Sequence, residues 1–169
     1  MFVAVLAAAC LAACGAAEGR EQTAGPTDRC GPVETVPIQG GAHLLADQDP
    51  PVPYTTVPPT SGWHRGGAIT IGVHGTGDAL AEPAQVSVLE AGAVVATYRG
   101  LSDQDRAALE TAAQVDHPGR VAVTPYDRLS DDGVTFAAWG VLQRCSALDL
   151  DALDAFVTSY AVPEPETGH

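Results

Sequence analysis

The stretch from Pro50-Pro51-Val52-Pro53-Tyr54 through Pro58-Pro59-Thr60-Ser61-Gly62-Trp63-His64 constrains the fold more than any other. Each proline holds φ at about −65° and has no N–H to donate, so neither a helix interior nor a central strand can pass through it. The chain there must run stiff and extended, outside whatever the remainder builds, with Tyr54 and Trp63 as apolar pins. Thr60-Ser61-Gly62 then reads as a turn, glycine tolerating positive φ and the hydroxyls capping local backbone groups. His64 ends that turn. A second stretch, Val88-Leu89-Glu90-Ala91-Gly92, sets a carboxylate just ahead of the strongest strand signal.

Regular structure is left to the rest of the chain. Val33–Ile38 suits an edge strand, since Pro37 bars it from a sheet centre. Strands are expected near 69–73 (from AITIGV), 93–98 (AVVATY), 120–125 (RVAVTP) and 134–142 (VTFAAWGVL), the last as one long strand. Gln85–Leu89 alternates only weakly. Ser102, with Asp105 three residues on, caps a helix over 102–115 whose inner face is Leu109, Ala112 and Ala113. Asp149 caps a helix over 149–161, where Leu150, Leu153, Phe156, Val157 and Tyr160 recur at helical spacing. The order strand–helix–strand–strand–helix predicts an α+β, two-layer domain with a small mixed sheet and an irregular Pro-rich N-terminal third. Its β-α-β start suits a parallel crossover, and the polar turn at 127–133 suits antiparallel neighbours.

The 169 residues carry a net charge of −13, and all 8 basic side chains are arginine. Without a positive cluster, phosphate-backbone contacts are disfavoured, which argues against nucleic acid as a partner. Phe2–Ala13 is a continuous apolar run, shorter than the roughly 20 residues a membrane-spanning helix needs. Residues 1–13 read as a signal peptide. Leu11-Ala12-Ala13-Cys14-Gly15 resembles a bacterial lipobox, which implies cleavage before Cys14 and acylation of its thiol. The expected product is an exported lipoprotein held at the extracytoplasmic face by its acyl chains. A flexible tether at 14–29, a single globular domain at 30–162 and an acidic tail at 163–169 would follow. Cys30 and Cys145 remain in the mature chain; in an oxidising compartment they most simply form one disulfide, two free thiols being the alternative.

PPTSGWH, VLEAGAVVATY, VAVTPY and TFAAWG, in that order, resemble an uncharacterised bacterial family catalogued as domain of unknown function 3105. The resemblance runs from about His43 to Tyr160, and PPTSG-x-H is its most specific part. The family pattern has an early histidine, the PPTSG-x-H histidine, then H-x-L-E-H-G. It implies functional positions at His43, His64 and Glu90, while Ser87 and Ala91 stand where the last motif has histidines. His74 is a candidate to compensate.

Three functions compete on these residues. The preferred one is a non-catalytic structural or interaction module of the cell envelope, with a partly lost family site and an envelope protein as partner. The alternative is a lipoprotein binding copper or zinc through His43, His64 and Glu90, with His74 as a fourth ligand. An enzyme is the weakest. Ser61 precedes His64 by three residues but lacks the strand–elbow–helix setting of a nucleophile, and Gly72-x-x-Gly75-x-Gly77 has no following helix to make a phosphate loop.

Overall fold

A computed structural model describes residues 29–45 and 48–162. The leader, Cys14, nearly all of the tether and the tail at 163–169 lie outside the described residues. Among the described residues seven strands and three α-helices succeed one another: β1 (Glu34–Thr35), β2 (His43–Leu44), β3 (His64–Arg65), α1 (Glu82–Glu90), β4 (Val94–Arg99), α2 (Asp103–Thr111), β5 (Val121–Pro125), β6 (Gly133–Ala138), β7 (Val141–Cys145) and α3 (Leu150–Tyr160). A π-helical turn, Ala112–Asp116, prolongs α2.

The main sheet has the order β1-β7-β6-β4-β5. Within this sheet β4 and β5 run parallel, as a strand–helix–strand crossover requires, and its other pairings are antiparallel. Alternation along the strands divides the core. Val94, Ala96, Val121, Val123, Val134 and Phe136 face Leu109 of α2 and Leu153, Phe156 and Val157 of α3. Val95, Ala122 and Ala137 face the opposite side and pack with Val88 and Leu89 of α1. Ser102 accepts from the Asp105 amide at 3.1 Å and Asp149 from the Ala152 amide at 2.9 Å, the two expected caps. The α+β class with a small mixed sheet therefore holds, and a helix on the second face adds a layer to the two expected.

That helix, α1, leaves no stripe in the sequence. Gln85, Val86, Ser87, Val88 and Leu89 are all buried, so polar and apolar residues alike point inward. Its N-cap, Ala81, makes no side-chain capping bond; Pro83 starts the helix instead. The expected strand near 69–73 does not form. Ala68, Ile69 and Thr70 are exposed, and only Val73 bridges Val123 beside β5. The expected single strand over 134–142 is a hairpin, β6 and β7, turning at Trp139-Gly140. Gly140 has φ 73°, a left-handed conformation that favours glycine at the turn.

The N-terminal third wraps this body. Cys30 is disulfide-bonded to Cys145 across 115 residues, and β1 pairs with β7 at the sheet edge beyond it. The proline-rich run closes on itself through Gln39, which bonds Pro53 O (3.0 Å) and the Thr55 amide (2.9 Å), while its own amide donates to Ser61 Oγ at 2.8 Å. Tyr54 donates its hydroxyl to Trp63 O; burial first, then the Glu82 charge, push that phenol up to about 12.

Candidate functional site

Two histidines are brought together by a pair of strands too short to be seen in the sequence. β2 and β3 are parallel, and their register sets His43 opposite His64. Side chains opposite one another share a face, so the rings meet edge to face, with centroids 4.7 Å apart and planes at 85°. The strands can approach because Gly41 lies against Gly62, where a Cβ would fall 2.2 Å from the Gly62 carbonyl carbon. Turn and site are thus one construction.

Helix α1 supplies the third group. Ser87 is buried against β3: its hydroxyl accepts the Arg65 amide at 3.0 Å and donates to Arg65 O or Pro83 O, each at 2.8 Å. Glu90, one turn further along the same helix face, therefore reaches the histidines. Its Oε2 lies 2.8 Å from His64 Nε2 and 3.7 Å from His43 Nε2. One ligand atom from each of His43, His64 and Glu90 lies within 4.8 Å of the others.

The environments differ in a telling way. The His64 side chain is 7% exposed, against 65% for His43 and 46% for Glu90. His64 Nδ1 donates to Gly62 O at 2.9 Å, so in the neutral form of the ring Nε2 carries the lone pair. That nitrogen is buried and makes no hydrogen bond; the Glu90 oxygen is near it but without hydrogen-bond geometry. A lone pair and a carboxylate held 2.8 Å apart repel unless a cation lies between them. Glu90 also ends α1 at the negative pole of the helix, with no basic residue in the last turn, so a cation there relieves a second repulsion.

His74 does not join the cluster. Its Nδ1 lies 3.4 Å from Asp78 Oδ2 and its Nε2 3.3 Å from Thr70 O, which makes it a brace of its own loop. Ser61, the nucleophile weighed from its spacing to His64, instead accepts the Gln39 amide. Ser87 and Ala91, where the resemblance to the family implies histidines, hold none. The structure gives Ser87 a positioning part, fastening β3, that sequence reasoning missed; its i, i+3 spacing to Glu90 was the available signal.

A family model described as "Protein of unknown function (DUF3105)" matches residues 46–169, which takes in His64 and Glu90 and stops short of His43. No curated protein and no solved structure matches the chain.

Proposed function

We propose for this chain, which belongs to the DUF3105 family, the role of an exported domain that binds one divalent first-row metal, zinc or copper(II), through His43, His64 and Glu90. One observation carries the reading: the buried, unbonded Nε2 of His64 facing the Glu90 carboxylate. A proton would answer the repulsion between those two atoms, but it would not account for His43. In a tetrahedral site with ligands at about 2.0–2.1 Å, ligand atoms sit about 3.3 Å apart. The separations of 2.8 and 3.7 Å bracket that value. The His64 Nδ1 bond to a backbone carbonyl is the outer-sphere contact that fixes the tautomer of metal-binding imidazoles. Two imidazoles and a carboxylate suit zinc and copper better than magnesium or calcium. Three protein ligands leave a position for water or a further ligand.

The export part of the proposal rests on the apolar leader with its lipobox-like Cys14 and is supported by the Cys30–Cys145 bridge, a bond that persists in oxidising compartments. An envelope interaction module without a metal is the second reading, and the proline-rich wrap is what favours it. Equilibrium dialysis of the purified protein against zinc and copper(II), with elemental analysis, decides between them. One metal per chain, bound tighter than micromolar, is expected, and His64→Ala should weaken it by about two orders of magnitude or more. No retained metal, or an indifferent His64→Ala, overturns the metal reading. Mass spectrometry of the membrane fraction should find acyl chains on Cys14; an unmodified thiol there refutes the anchor.

A further inference from the structure

Beside Glu90, where the end of α1 meets the β6–β7 turn and the end of α3, runs a groove of about 400 Å³. Its walls are Leu89, Trp139, Tyr160 and Val162, and among its lining side chains Glu90 is the one carboxylate. Trp139, Tyr160 and Val162 are 41%, 38% and 65% exposed, large apolar side chains gathered at one place. The volume falls in the range of small-ligand sites, which pair apolar walls with few polar groups. Glu90 belongs to both features. Its carboxylate faces the two histidines, and it also lines the groove.

We infer that the metal-loaded site takes an amphipathic monocarboxylate, with its head on the vacant metal position and its hydrocarbon chain along Trp139 and Tyr160. The inference rests on the metal reading above and names a ligand class for it. Charge selects the occupant. Without metal, the groove is lined by a bare carboxylate on a chain of net charge −13, so an anionic head is repelled. A divalent ion held by two neutral imidazoles and one carboxylate leaves a single positive charge at the same point. Loading therefore turns a groove that rejects carboxylates into one that accepts them, and the apolar walls then favour a long chain over a short one.

The test is calorimetric titration of the full chain, with and without zinc, using octanoate and acetate. With zinc bound, octanoate should bind about tenfold or more tighter than acetate, since burying two methylenes already gives that ratio. Zinc-free protein should show no octanoate binding. Trp139→Ala should weaken octanoate about tenfold while leaving zinc affinity unchanged. Octanoate no tighter than acetate on zinc-loaded protein overturns the inference while the metal site stands, and so does octanoate binding equally without zinc. A zinc-dependent dimer by size-exclusion chromatography would assign the groove to a second copy and overturn it too. If elemental analysis finds no zinc retained, the metal reading fails first and takes the inference with it.

Discussion

Replacing Ser87 by alanine removes one oxygen from a side chain that is 3% exposed, and the consequence can be worked out bond by bond. The Arg65 amide loses its acceptor at 3.0 Å, and whichever carbonyl takes the hydroxyl proton, Arg65 O or Pro83 O, loses a donor at 2.8 Å. The amide has no ready replacement, because β3 is two residues long and among the described residues is paired with β2 alone. Unsatisfied buried groups of this kind cost about 1–3 kcal/mol, and the missing oxygen leaves too small a void to add much. The site is affected separately. His64 adjoins Arg65, and once the strand is loose its ring is no longer held against Glu90. Loss of an outer-sphere support lowers metal affinity by about 10–100-fold. Urea unfolding of the metal-free protein reads the first effect, and zinc affinity by competition with a chromophoric chelator reads the second. A general loss of stability lowers the folded fraction without changing the affinity of the folded molecules. Stability that falls by the stated amount with zinc affinity within twofold of the parent would refute the positioning of His64 by Ser87.

Three further outcomes are expected. Zinc at a hundredfold excess over its Kd should raise unfolding free energy by about 2.7 kcal/mol, and Glu90→Ala should abolish the gain; scanning calorimetry at fixed free zinc measures both. Reducing Cys30–Cys145, which closes a loop across 115 residues, should cost up to about 5 kcal/mol in the chain-entropy account; an unchanged melting temperature after reductant contradicts it. Tyr54 is pushed from the ordinary 10.0 up to about 12 in the folded state, mainly by burial. Its contribution is fully present below pH 10 and is lost as pH rises from about 10 to 12, because the unfolded phenol ionises first. Tyr54→Phe should flatten that alkaline loss of stability, leaving the part due to Tyr126 and Tyr98, whose phenols burial also raises.

Elements carrying their own local signals were legible. Ser102 and Asp149 announce α2 and α3, and AVVATY and RVAVTP announce β4 and β5, since caps and apolar runs are decided within a few residues. The hairpin of β6 and β7 was read as one strand because its turn is only Trp139-Gly140 and the flanking residues are apolar throughout. Helix α1 was hidden by burial on all sides, including that of Gln85 and Ser87. The β2–β3 pair has no local pattern: two residues at 43 meet two at 64 through a proline turn, a long-range event. The resemblance to PPTSG-x-H therefore pointed to His43, His64 and Glu90 without supplying a reason for them to meet. His74, the expected fourth ligand, is held apart from them by Asp78 and Thr70.

The Cys30–Cys145 bridge also settles how the molecule bears load. Any pull on the chain ahead of Cys30 meets the cross-link before it meets the wrap. Tension passes into β7, which hydrogen-bonds to β6 along its length, and from there into the sheet. The segment from Gly31 to His64, held by scattered side-chain bonds and two short strand pairs, is mechanically bypassed. Pulled from ahead of Cys30, the domain can therefore keep His43 and His64 in register, and only after reduction of the bridge does the same force begin to peel the wrap away from Glu90.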